Sequence, residues 1–420
     1  MDYSFLLYVA IILLSTKVLG LITRRFKMPQ VVGALLAGLI LGPAVLNILH
    51  EDIFITQVSE LGVIVLMFTA GMETDIKELK KSGKASFVIA LLGVIVPLAG
   101  GFLVAHFFNS PEFSEGATAS TLLQNIFIGI ILTATSVSIS VETLKEMGKL
   151  NTRAGNAILG AAVIDDILGI IALTIITSMA DSSINIGIVL LKILLFFVFV
   201  VVAGILCYFL FKKYMEHYQK DLRRFVIISF VFCLLLSYCA EEFFGVADIT
   251  GAFIAGVAIS NTPRSKYIAS RFETLSYTLL SPIFFASIGI KVVLPAMSST
   301  IIIFSILLAI IATITKIIGC GLGAKICKYT NRESIQIGMG MISRGEVALI
   351  VATKGAALGL LSNTLLGPVI ITVVVTTIIS PILLKLVFRS KSGDDDSREE
   401  SQLAKGYEKV LDYTTTERNS

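Results

Sequence analysis

Residues 4–388 read as thirteen apolar runs divided by short polar loops, and no other feature limits the possible folds so severely. About 20 apolar residues cross the hydrocarbon of a bilayer as one helix. Inside lipid, only helices and closed barrels satisfy their own backbone. The runs fall at 4–22, 31–49, 57–73, 85–108, 119–141, 154–180, 185–211, 224–243, 248–261, 274–290, 299–324, 333–357 and 364–388. With 55% hydrophobic and 15% charged residues among 420, the chain is too apolar for a water-facing surface. The expectation is an all-α polytopic membrane protein over residues 1–388. The first run follows Asp2 without a basic stretch or a cleavage site, so it is expected to remain as a helix rather than leave as a signal peptide.

If the runs alternate across the membrane, every second loop falls on one side. Those loops carry Arg24, Arg25, Lys27, four lysines over 77–84, Lys145, Lys149, Arg153, five Lys and Arg over 212–224, Arg264, Lys266, Arg271, Lys325, Lys328 and Arg332. The opposite loops carry Lys291 and Lys354. Basic loops stay cytoplasmic, which puts the N-terminus outside and the C-terminus inside. The net charge of +4 therefore reports topology and not nucleic-acid binding. Cys207, Cys233, Cys239, Cys320 and Cys327 lie in or at the ends of apolar runs without metal-ligand spacing, and read as packing residues. Residues 389–420 form a polar cytoplasmic tail containing Asp394, Asp395 and Asp396. No glycine-rich nucleotide-binding motif follows the last run, so a fused cytosolic sensor is not expected.

An internal repeat is visible. Gly33, Gly38 and Gly71 are matched 218 residues later by Gly251, Gly256 and Gly289, within similar local sequences such as 33–38 and 251–256. Matching runs lie seven helices apart, so the two copies cross the membrane in opposite senses. Small residues in membrane helices also serve plain packing, but that does not require one offset shared by two helices. The fifth run ends in Thr133, Thr135, Ser136, Ser138 and Ser140, and its counterpart, the twelfth, holds Gly338, Gly340 and the stretch Ser343-Arg344-Gly345-Glu346. Both are expected to be broken helices, which at membrane depth line a cavity or meet compensating charge.

Asp165 and Asp166 stand side by side near the middle of the run 154–180. A charged side chain at mid-membrane costs at least ~2.5–3.5 kcal/mol, so two acids imply a wet cavity and cationic partners. Adjacent helical residues point about 100° apart, which lets one acid meet protein and the other a cavity. Lys316 lies far from either end of its run, too deep to snorkel as Lys17 and Lys192 can, and is expected to pair with Asp165 or Asp166.

These motifs occur in the order 33–43, 133–139, 164–169 and 343–349, and the chain thereby resembles monovalent cation:proton antiporters of the second cation/proton antiporter family over about residues 5–388. The resemblance implies about thirteen transmembrane helices in two inverted repeats with crossed broken helices. It implies core helices around 85–180 and 299–388, dimerisation helices around 4–73 and 224–290, a linking helix at 185–211, and a homodimer in a bacterial plasma membrane. Asp166 would be the principal ion and proton carrier, Asp165 the partner of Lys316, and Thr133 and Thr135 neighbours of the ion, with Asp166 and Thr135 holding Na+. Arg344 and Glu346 would neutralise helix ends. Potassium-efflux relatives commonly carry Gln at the first acid, and relatives with Asn there tend to be electroneutral. Retention of Asp165 thus favours electrogenic Na+/H+ exchange over the K+/H+ alternative, with no cofactor beyond the transported ions and no enzymatic activity. An intramembrane aspartyl protease needs two acids converging from different helices, unlike Asp165 and Asp166. A passive channel leaves the repeat and Lys316 without a role.

Overall fold

The computed structural model describes residues 3–26, 28–74, 76–108, 117–180, 186–217, 222–260, 262, 264–292 and 298–389. The first half holds α1 (Ser4–Arg25), α2 (Gln30–Leu41), α3 (Ile53–Glu73), α4 (Ile76–Phe108), α5 (Thr121–Ile131), α6 (Val137–Glu146), α7 (Arg153–Ala180) and α8 (Ile186–His217). The second holds α9 (Leu222–Phe244), α10 (Asp248–Ser260), α11 (Ser265–Leu275), α12 (Ser281–Ile290), α13 (Ser299–Ile326), α14 (Asn331–Gly340), α15 (Glu346–Ala357) and α16 (Asn363–Phe388). A π-helical turn over Ser276–Leu280 joins α11 to α12. The described residues are all-helical apart from loops and turns, and nine of their helical spans are long and apolar enough to cross a membrane alone. Counting α5/α6, α11/α12 and α14/α15 as interrupted crossings, with α2 and α10 as short ones, the described chain makes thirteen passes.

The run expected at 31–49 is helical only to Leu41. Gly42 turns extended, as a residue before proline is pressed to do. Residues 45–49 then fold back, with the Leu46 N–H donating to the Ile40 carbonyl and the Leu49 N–H to that of Leu41. Hydropathy could not see this stop, because 44–49 are apolar apart from Asn47.

The helices pack in two groups. One unites α1–α3 with α9–α12, and the other unites α4–α7 with α13–α16, while α8 lies against α7, α9 and α10. Within the first group the repeat glycines meet in pairs. A Cβ on Gly38 of α2 would run into the Ala286 carbonyl of α12, and one on Gly289 of α12 would strike Leu39 and Leu35 of α2. The same exchange occurs between Gly71 of α3 and Phe253 of α10, and between Gly256 of α10 and Phe68 of α3. The contact α2–α12 thus reappears as α10–α3 with the two copies exchanged. That is the signature of a pseudo-two-fold axis, and it explains the offset of 218 residues by backbone contact.

The groups also touch at the face that carries the basic loops. Glu146, the last residue of α6, accepts the N–H of Gln30, the first residue of α2, at 2.9 and 2.8 Å on its two carboxylate oxygens. Lys145 reaches α3, ion-paired with Glu73 at 3.0 Å and donating to the Thr69 hydroxyl at 3.2 Å.

Candidate functional site: two crossed breaks and a buried ion pair

Helix α5 stops at Ile131 and α6 begins at Val137, while α14 stops at Gly340 and α15 begins at Glu346. The two breaks, 132–136 and 341–345, lie against each other main chain to main chain. The Ser136 N–H donates to the Ser343 carbonyl at 2.7 Å, and the Ser343 hydroxyl donates to the Ser136 carbonyl at 2.9 Å. Ser140 adds a bond to the Gly340 carbonyl at 2.6 Å, with its hydroxyl 2.9 Å from that of Ser343. The approach is close: a Cβ at Gly345 would sit 2.8 Å from the Ser136 hydroxyl oxygen. The hydroxyl cluster read from the sequence therefore joins two interrupted helices; Ser138 and Ser140 themselves lie within α6.

A helix interrupted inside lipid leaves carbonyls without donors, and α5 meets this with two cations. Lys316 of α13, fully buried, donates to the Thr133 carbonyl at 2.7 Å. Arg344, also fully buried, donates from Nη2 to the Leu132 carbonyl at 2.6 Å and the Ala312 carbonyl at 3.1 Å, and from Nη1 to the Ile342 carbonyl at 3.0 Å. Positive charge at a helix C-terminus is favourable on its own account. The Arg344 carbonyl in turn accepts from the Thr377 hydroxyl of α16. Glu346 opens α15, but its side chain lies outside those described, and so does its expected neutralising role.

Lys316 also binds Asp165, at 3.1 Å to Oδ1 and 3.2 Å to Oδ2, and the Gly93 carbonyl of α4 at 2.9 Å. An ammonium has three protons, and here they are divided among an acid and two main-chain carbonyls. Asp165 is 2% exposed. Asp166, one position on in α7, is half-buried. The two acids thus occupy different surroundings, as helical geometry requires. Thr135 lies buried beside Asp165, its hydroxyl close enough to interact with that carboxylate. The Thr133 hydroxyl donates back to the Ile130 carbonyl at 2.7 Å.

The compensating charge expected at the breaks is present, since the Leu132 and Thr133 carbonyls are held by Arg344 and Lys316. The Asp165 carboxylate and the Thr135 hydroxyl beside it are hard oxygen groups, of the kind an alkali ion prefers. Among the described residues there is no cluster of three or more His, Cys, Asp or Glu that could hold a metal ion. Lys17 takes a course not foreseen, donating to the Tyr277 hydroxyl at 2.9 Å. Gly93 and Thr377 went unread at the sequence level, since an acceptor carbonyl and one more threonine in an apolar run carry no compositional signal.

The family model described as sodium/hydrogen exchanger, transmembrane, matches residues 10–390. The chain is 37% identical over 392 residues to the Na(+)/H(+)-K(+) antiporter GerN of Bacillus cereus, covering 93% of this chain and 98% of that protein. It is 38% identical over 393 residues to a Na(+)/H(+) antiporter of Enterococcus hirae, covering 91% and 97%. Among solved structures, the sodium proton antiporter MjNhaP1 of Methanocaldococcus jannaschii superposes with a TM-score of 0.66 at 21% identity, over 90% of this chain and 95% of that one, and so shares the fold. A match of that length, with relatives this similar from end to end, makes the chain a member of the sodium/hydrogen exchanger family.

Proposed function

We propose that the chain exchanges Na+ for protons across the membrane by alternating access, with Asp166 as the group for which the two substrates compete. The observation that carries this reading is the unequal pair of acids: Asp165 buried on Lys316, and Asp166 half-buried at the next position of the same helix. A carboxylate beside a cavity binds either a proton or a hard cation. If the group of helices α4–α7 and α13–α16 moves against the other only when that charge is compensated, competition becomes obligatory exchange. Thr135 supplies a hydroxyl oxygen to the bound cation, and the Thr133 hydroxyl, whose proton is committed to Ile130, has lone pairs left for it. Arg344 and Lys316 hold the crossing so that the substrates meet a fixed charge pattern.

The same reading makes α1–α3 and α9–α12 the dimerisation side, gives a homodimer in a bacterial plasma membrane, and puts the basic loops in the cytoplasm. Potassium is a second substrate to examine, because one relative bears K+ in its name as well as Na+. The test is exchange by purified protein in proteoliposomes, followed with a pH-sensitive dye while Na+, K+ and Li+ are scanned. Wild-type protein is expected to move protons in response to Na+, and Asp166→Asn, nearly the same size, is expected to be folded and inactive. Coupled exchange by Asp166→Asn at the wild-type rate would remove Asp166 from the mechanism.

A further inference from the structure

The Gly93 carbonyl that holds Lys316 has a reason to be available. Helix α4 contains Pro97, four residues after Gly93. In an α-helix the carbonyl of residue i accepts the N–H of residue i+4, and proline has none to give. The Gly93 carbonyl therefore lacks its helical donor, and the Lys316 ammonium lies 2.9 Å away. We propose that Pro97 is a positioning residue for exchange: it opens the Gly93 carbonyl as an anchor that keeps the Lys316 ammonium shared between main chain and Asp165. Glycine at 93 is the second half of the device. A Cβ there would lie 2.6 Å from the Cys320 sulfur, 3.7 Å from Lys316 Nζ and 3.9 Å from Asp165 Oδ1. Cys320 follows Lys316 by one turn of α13 and is fully buried, so it cannot yield towards solvent. The spacing Gly93-Val94-Ile95-Val96-Pro97 is thus read as a lysine seat built into the backbone of a neighbouring helix.

The seat has a consequence for transport, which rests on the exchange reading above. With two carbonyls sharing the ammonium, Lys316 does not depend on Asp165 alone. Removing one of them throws the ammonium onto Asp165, and so alters the charge met by a cation entering at the adjacent Asp166. Pro97→Ala restores an N–H for Gly93 and improves helix propensity, so it is expected to fold.

The anchor is tested first without transport, by a double-mutant cycle in melting temperature. In the wild type, Lys316→Met leaves the Gly93 carbonyl buried without a donor. In the Pro97→Ala background that carbonyl has its helical partner, so the loss of melting temperature on Lys316→Met is expected to be smaller. Equal losses in the two backgrounds would overturn the proposal. Transport is the second reading: Pro97→Ala is expected to raise the apparent KM for Na+ about threefold, the effect of weakening one hydrogen bond, and an unchanged KM would again overturn it. If Pro97→Ala does not fold, Gly93→Ala replaces it, with the KM expected to rise and to return when Cys320→Ala makes room. A KM that Gly93→Ala does not move would overturn the seat. If wild-type vesicles exchange nothing, the functional reading fails while the melting cycle still decides the anchor.

Discussion

At the scale of single residues, two buried cations do different work on the same helix end. Lys316 divides itself between an acid and two carbonyls, whereas Arg344 is described with carbonyl partners only. Arg344→Ala would leave the Leu132 and Ile342 carbonyls, both in the breaks, without this donor in a place water does not readily reach. At ~1–3 kcal/mol for each polar group left unsatisfied, the variant is expected to lose about 3 kcal/mol of stability together with flux. Thermal unfolding in detergent measures this, and an unaltered melting temperature with flux abolished would shift Arg344 from scaffold to transport path. How far such roles were legible differs by residue. A lysine and two acids deep in apolar runs announce themselves through the cost of charge in lipid, and that argument reached the pairing of Lys316 with one of the two acids. It could not choose Asp165 over Asp166, because the choice depends on the rotation of α7. Nor could it find the carbonyls of Gly93, Leu132 and Thr133, since every residue has one and only the fold selects which are open.

At the scale of elements, the two interruptions were legible because hydroxyl and glycine residues gathered at matching places in the repeats. Their direct hydrogen bonding through Ser136 and Ser343 was not, since it pairs residues about two hundred positions apart. The early end of α2 was missed for the opposite reason, an apolar segment that continues past a Gly-Pro stop. The interruption in α5/α6 also links the site to the boundary between the helix groups: α6 starts at the crossing and ends on Lys145 and Glu146, which grip α3 and α2. A movement of one group against the other that opens this face must release both. The Glu146 carboxylate sits on the first N–H of α2, where negative charge is worth ~0.3–1 kcal/mol. Glu146→Gln is therefore expected to favour the opened arrangement by roughly two- to fivefold. Amide hydrogen exchange over residues 30–33 should quicken in that variant, and identical protection would detach this contact from the opening equilibrium.

At the scale of the whole molecule, inverted repeats give the protein two equivalent faces, and the charges at the centre decide what a transmembrane voltage can do. If one Na+ replaces a single proton on Asp166, no net charge crosses and voltage is irrelevant. If binding of Na+ also releases a proton from the Asp165–Lys316 pair, two charges move one way and one the other. Each unbalanced charge then couples to voltage with ~2.3 kcal/mol per 100 mV. The ion pair makes the second course chemically available, because Lys316 keeps two carbonyl acceptors and Asp165 keeps the neighbouring Thr135 when they part. A permanent pair serving stability alone is the competing account, since breaking a buried pair costs about 3–5 kcal/mol. Lys316→Gln lowers the melting temperature under both accounts and so cannot distinguish them. Charge movement does. Wild-type protein adsorbed on a solid-supported membrane is expected to give a transient current on a Na+ step, and Lys316→Gln to exchange ions, if at all, without one. Dye-reported exchange in the wild type with no current under the same conditions would establish one-for-one exchange, and leave the Asp165–Lys316 pair as a clasp between α7 and α13.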